Sequence, residues 1–169
     1  MKNQKPHIFP GLLTGIILIL INVILVVLGY EGNTKVSWIA SVINVGMLIY
    51  FIREHGNKLN NTLSFGELFS FGFRTTAIVT IMLTVFMIIY SYAFPESENR
   101  AMEIAREKMM EDERLNEDTI EQAISFSRKF YFPVLIAGTI FGTMIVGAVG
   151  SLLGAAITKK VPSTPFDRP

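Results

Sequence analysis

The chain has 169 residues, of which 50% are apolar and 17% are charged, and its formal net charge is +1. This balance excludes the broad basic surface that electrostatic binding of nucleic acids requires. The sequence also contains no cysteine, which excludes disulfides, thiolate catalysis and zinc sites with cysteine ligands.

The charged residues are unevenly distributed. All 29 of them fall in 79 positions, because none occurs in four stretches, residues 8–30, 36–52, 75–95 and 130–158. Soluble amphipathic helices carry charge along one face, whereas crossing about 30 Å of hydrocarbon takes roughly 20 apolar residues. The pattern therefore predicts an all-α fold, an integral membrane four-helix bundle that forms a single domain over residues 1–169.

In chain order, we expect membrane spans at residues 10–29, 36–52, 71–94 and 131–157. An amphipathic lead-in at residues 64–74 precedes the third span, since phenylalanine recurs there at every fourth residue. This lead-in either lies in the membrane interface or continues into the span. Ser64 and Glu67 have the spacing of a capping box at its start.

Residues 96–129 form a hydrophilic loop with ten acidic and six basic side chains. Two apolar runs at helical spacing predict two short amphipathic helices in this loop, and Asn116 is suited to cap the second of them. Residues 161–169 are expected to form a short disordered tail.

Four spans place both termini on the same side of the membrane. The basic residues of that side stand beside helix ends, whereas those of the opposite side are diluted in the acidic loop 96–129. Because basic residues close to span ends stay in the cytoplasm, we predict that both termini are cytoplasmic.

Several polar residues lie within or beside the predicted spans. Asn22 and Asn44 fall near the middle of the first two, and Thr76, Thr80 and Thr84 follow one face of the third. These side chains either line a path for a substrate or an ion, or they hold helices together by hydrogen bonds.

Two charged residues lie at the predicted membrane interface, where Glu67 and Arg74 are separated by two helical turns. As a functional pair they would bind an anion or gate a pore. In the alternative, Arg74 reaches the lipid headgroups and Glu67 caps its own helix.

The fourth span holds two groups of glycines, and small residues let helix backbones approach closely in a membrane. With 3.6 residues per turn, Gly138 and Gly142 share one face, while Gly147, Gly150 and Gly154 lie on roughly the opposite face. One face is expected to pack on a helix of the same chain, and the other on a second copy in a homo-oligomer.

The sequence contains no established catalytic or nucleotide-binding motif, and no acidic residue, lysine or histidine occurs at the depth of a span. His7 and His55 have no neighbours at metal-ligand spacing. We therefore expect no enzymatic activity, no cofactor and no metal site. The expected partners are the lipid bilayer and other proteins.

Three features together resemble a known family. They are the glycine pair Gly11 and Gly15 in the first span, the segment LSFGELFSFGF at residues 63–73, and the long acidic loop before a glycine-rich fourth span. The chain resembles the bacterial four-span proteins of domain of unknown function 4199, which occur mainly in Bacteroidota. The resemblance implies four helices and a location in the bacterial cytoplasmic (inner) membrane, and it carries no known activity or catalytic residues.

Two functions follow from these observations. The first is a non-enzymatic structural or assembly component, whose loop 96–129 contacts a periplasmic or membrane partner. The alternative is a small transporter or channel-like oligomer with a path lined by Asn22, Asn44, Thr80 and Thr84. Convergence of these four side chains on one water-accessible cavity would favour the transporter, and dry helix interfaces would favour the assembly component.

Overall fold

The computed structural model describes residues 5–30, 34–112 and 114–161. These residues form six α-helices and no strand: α1 (Ile8–Val27), α2 (Thr34–Lys58), α3 (Phe65–Ala93), α4 (Glu96–Met110), α5 (Glu117–Lys129) and α6 (Tyr131–Ile157). The all-helical prediction is therefore confirmed. The predicted tail lies outside the described residues beyond Val161.

Within the described part of the chain, three helices are long and apolar enough to cross a membrane, namely α1, α3 and α6. Much of their apolar surface faces outward, as Ile81 on α3 and Phe141 on α6 illustrate. Soluble monomers rarely expose large contiguous apolar patches. The chain is therefore a membrane protein. The predicted span 36–52 lies in α2, which is not among the three, so the count of four spans stays a prediction.

Local sequence explains where several helices begin and end. Ser64 precedes α3, and its backbone N–H and hydroxyl both donate to Glu67 Oε2, at 2.8 and 2.7 Å. The predicted capping box is thus present, and α3 runs without a break from the lead-in into the span. Asn60 and Asn61 follow α2 at φ angles of 53° and 58°, a left-handed conformation that asparagine tolerates.

The chain divides into two compact units, one made of Met1–Leu83 with Phe141–Pro169 and the other of Thr84–Ile140. The first unit contains α1, α2, the first part of α3 and the later part of α6. Its buried core is formed by side chains from three of these helices, Leu48, Phe51, Ile52, Leu68, Phe71 and Ala155.

The second unit contains the two helices of the hydrophilic loop, as predicted. Met102 of α4 and Ile120 of α5 are its buried apolar residues among those described. Arg106 on α4 pairs with Glu121 on α5 at 2.5 Å, and Arg128 donates to Asn99 Oδ1 at 2.8 Å. The Asn116 side chain accepts from the Thr119 N–H at 2.8 Å, so Asn116 caps α5 as expected.

Candidate functional site

Glycines bring the backbones of α6 and α2 close together in the first unit. A Cβ placed on Gly150 would lie 3.3 Å from the Val45 Cα, and one on Gly154 would lie 3.3 Å from the Ile49 Cα. One turn away, a Cβ on Gly147 would overlap the side chain of Thr76 on α3. The glycine face at 147–154 is therefore occupied by helices of the same chain, which is close packing of the kind that stabilises helices in a membrane.

The other glycine pair has different surroundings. No described atom lies within 4 Å of a Cβ placed on Gly138 or Gly142, beyond their own helix backbone and chain neighbours. The described part of the chain leaves this face uncovered, and its use by a second copy stays a prediction.

Another close helix contact, between α1 and α3, goes beyond the packing faces expected from the sequence. A Cβ on Gly11 would lie 2.7 Å from the Ile78 Cβ, and one on Gly15 would lie 2.5 Å from the Met82 Sδ. The four-residue spacing of the two glycines was the signal that could have predicted this contact.

The polar residues of the spans fall into two groups. In the first group, the side chain bonds to the carbonyl one turn earlier in its own helix. Asn22 Nδ2 donates to the Leu18 carbonyl at 2.8 Å, and Thr80 Oγ1 donates to the Thr76 carbonyl at 2.9 Å. In each case the bond satisfies one donor of the side chain within its own helix.

The second group has buried oxygens without a hydrogen-bond partner among the residues that the structure describes. In the first unit it comprises Thr14, Asn44 and Ser151, and Asn44 is only 4% exposed. Thr84 has the same property in the second unit. None of Asn22, Asn44, Thr80 and Thr84 lines the pockets around the end of α2, and the proposed path stays a prediction.

The first unit carries a pocket of about 850 Å³ where α1 begins and α2 ends. We call it the end pocket. Its apolar wall includes Phe9 and Leu12 of α1, Phe51 of α2 and Phe71 of α3. Polar groups complete the lining, with Lys5 ahead of α1 and, on α2, the residues Glu54, His55 and Lys58.

A second pocket of about 410 Å³ adjoins the end pocket and shares Lys5, His55 and Phe71 with it. It adds His7 and the two predicted interfacial residues, Glu67 and Arg74. The structure thus places both of these residues at one cavity. Glu67 caps its own helix through Ser64, whereas the Arg74 side chain is exposed.

Two histidines make the electrostatics of the two pockets dependent on pH. The His55 ring stacks on Phe71 with centroids 4.0 Å apart and planes 7° apart. Partial burial, helped by the positive charge of Lys58, lowers the pKa of His55. The pKa of His7 is lowered by burial and by the charges of Arg74 and Lys5. Both shifts favour the neutral ring at pH 7.

We expect the free energy of unfolding to fall as the pH is lowered below neutrality, because the two histidines become protonated more readily in the unfolded chain. A histidine whose pKa is lowered by folding binds more protons in the unfolded chain than in the folded one. Its contribution to the free energy of unfolding is therefore full above pH 6.5, and it is lost as the pH falls from 6.5 towards the pKa of the folded state. Denaturation in mixed micelles at several pH values between 7.5 and 5.5 measures the slope of the unfolding free energy against pH. The pair His7→Gln and His55→Gln should flatten it, and an unchanged slope in that double variant would contradict the assignment.

Comparison with known proteins identifies the family. A family model described as "Protein of unknown function (DUF4199)" matches residues 10–160. The chain belongs to this family. The resemblance noted in the sequence is thereby confirmed. The DUF4199 match covers most residues that line the two pockets, and it covers α1 apart from its first residues. Neither the curated proteins nor the solved structures include a match to the chain.

Two adjoining pockets lie at one end of the first unit of this DUF4199 protein. The described residues contain no group of three or more histidine, cysteine, aspartate and glutamate side chains that could hold a metal ion. The two pockets instead combine an apolar wall with three basic side chains, two histidines and two carboxylates, and the basic side chains outnumber the carboxylates.

Proposed function

We propose that this protein is a non-enzymatic assembly component of the bacterial cytoplasmic membrane, with four spans and both termini in the cytoplasm. The fourth crossing is assigned to α2, whose residues 36–52 carry no charge. The alternating direction of four antiparallel helices is supported by contacts at one end of the first unit. There the Val161 N–H, which follows α6, donates to the Asn61 carbonyl, which follows α2, at 2.9 Å.

The charge of this end supports its location in the cytoplasm. Its described basic residues outnumber its acidic residues, Glu54 and Glu67; the basic residues are Lys5, Arg53, Lys58, Arg74, Lys159 and Lys160. Basic residues beside span ends are retained on the cytoplasmic side. An odd number of crossings separates this end from the loop 96–129, which would then face the periplasm.

The observation that carries the proposal is the folded helical hairpin α4–α5. Ion pairs and a small apolar contact hold its helices together, yet Phe126 on α5 is 66% exposed and Met110 on α4 is equally exposed. The Phe126 ring packs on Phe130, with centroids 4.7 Å apart. An exposed aromatic pair on an acidic hairpin is suited to bind a partner protein with a basic surface, since aromatic anchors supply affinity and complementary charge supplies specificity.

Site-specific photocrosslinking in native membranes tests this function. A photoreactive residue at Phe126 is expected to give one discrete protein adduct, which weakens as salt is raised because charge steers the contact. The matched control is Ile145, an exposed apolar residue of α6 that should give only lipid adducts. An adduct with the mass of two 18.9 kDa chains would show that the partner at this position is a second copy of the protein. The absence of any protein adduct at Phe126 and Met110 would overturn the proposal.

The alternative, a small transporter or channel-like oligomer, has one observation in its favour. Asn44 is buried in the first unit with an amide oxygen that has no partner among the described residues. Uptake by proteoliposomes that depends on Asn44 would favour this alternative. Asn22 and Thr80 support it less, because each side chain already donates a hydrogen bond within its own helix.

A further inference from the structure

We propose that the end pocket and its adjoining pocket bind one anionic phospholipid. Its headgroup phosphate would lie against Lys5, His7 and Arg74, and one acyl chain would follow the apolar wall formed by α1. This inference goes beyond the assembly role and does not depend on the α4–α5 hairpin.

The ionic groups of the two pockets leave an excess of positive charge. Glu54 is neutralised by Lys58, since the carboxylate and ammonium groups are 2.7 Å apart. Glu67 accepts two hydrogen bonds from Ser64, which leave its negative charge in place. Among the described residues, no carboxylate lies within salt-bridge distance of Lys5 or Arg74. The adjoining pocket is thus lined by two cations that form no salt bridge with a described carboxylate and by one anion, Glu67. A net positive charge remains, and a bound anion would complement it.

The positions of these cations favour a phosphate group. Lys5, His7 and Arg74 line the same pocket. A guanidinium binds a phosphate with two parallel hydrogen bonds, and an ammonium adds a point charge. Protonation of His7 would add a third positive charge, so affinity should increase as the pH falls through the lowered pKa of this ring.

The apolar wall identifies the source of the phosphate as a lipid. Phe9 and Leu12 line the end pocket, and both side chains are exposed. Ile16 and Leu20, also exposed, continue the same stripe of α1 at spacings of four residues. An acyl chain lying along this stripe would run from the pocket into the hydrocarbon region. Inorganic phosphate has no apolar group that could contact this stripe.

Lipid binding by the full chain, stripped of lipid in detergent, tests the proposal. Native mass spectrometry should show phosphatidylglycerol binding about tenfold tighter than phosphatidylcholine with the same acyl chains, as expected for two cations near the membrane surface. Lys5→Gln and Arg74→Gln together should reduce this preference to about threefold or less. The matched control is Arg53→Gln, which removes an exposed cation of α2 that lines neither of the two pockets and should keep the preference.

Three results would overturn the proposal. Equal loss of preference in Arg53→Gln would show diffuse attraction rather than a site. Full competition by inorganic phosphate would show a site for a free anion. Unchanged preference in the double variant would exclude these two cations.

A second variant keeps the test decisive if Arg74→Gln fails to fold. Lys5→Gln alone should then reduce the lipid preference, and it is expected to fold because Lys5 precedes α1 and its side chain is exposed. A positive result with no crosslink at Phe126 would leave the lipid site standing without the assembly role.

Discussion

Replacing Gly147 with leucine is expected to lower the free energy of unfolding by about 3 kcal/mol, the upper part of the usual range for overpacking a core. A Cβ at this position would lie 2.8 Å from the Cβ of Thr76 and would overlap its branches. Thr76 cannot turn away easily, because its χ1 angle is restricted in a helix and its hydroxyl bonds to the Gly72 carbonyl at 3.1 Å. The helices α3 and α6 would have to separate.

Gly142→Leu is the matched control on the same helix. Its Cβ would meet no described atom within 4 Å, so no overpacking is expected. The unfolding free energy should stay the same or rise by up to about 1 kcal/mol, because leucine favours a helix more than glycine does. Denaturation of both variants in mixed micelles measures the difference. Native electrophoresis of the same samples measures the size of the assembly. A smaller assembly in Gly142→Leu alone would show that the face of Gly138 and Gly142 binds a second copy. Equal stability of the two variants would contradict the close contact at Gly147.

Strong local patterns predicted the helices well. The predicted span 131–157 has the same limits as α6, and the loop 96–129 contains two helices with Asn116 as a cap. Hydropathy locates the apolar part of a helix rather than its ends, so α2 and α3 extend beyond the predicted spans into charged residues. The capping box at Ser64 was predictable because its partners are three residues apart.

The site was not predictable from the sequence in the same way. The end pocket combines residues from the start of α1, the end of α2 and the start of α3, which are distant in the chain. Periodicity identified two glycine faces on α6 but could not say which one the chain itself covers. The stacking of His55 on Phe71 likewise depends on how two helices cross, which no single-helix pattern encodes.

Ile52 occupies the space left by glycines on two other helices, and its truncation is expected to have the second large effect. Its Cδ1 would lie 2.6 Å from a Cβ on Gly72 of α3 and also 2.6 Å from one on Gly154 of α6. The side chain is fully buried. Ile52→Ala should therefore cost about 2–5 kcal/mol of unfolding free energy, as other buried isoleucine truncations do. Val42→Ala on the same helix is the control, because Val42 is exposed and its truncation should cost far less.

A double-mutant cycle then tests whether the fit between Ile52 and Gly154 is specific. Gly154→Ala alone adds a methyl group against the Ile52 Cδ1 and should cost about 1–3 kcal/mol. Ile52→Val removes that Cδ1, so Gly154→Ala should cost less in its background. The expected coupling is about 1 kcal/mol, within the range for residues in direct contact. Simple additivity of the two changes would show that they do not share this space, and the three-helix contact at Ile52 would then have to be rejected.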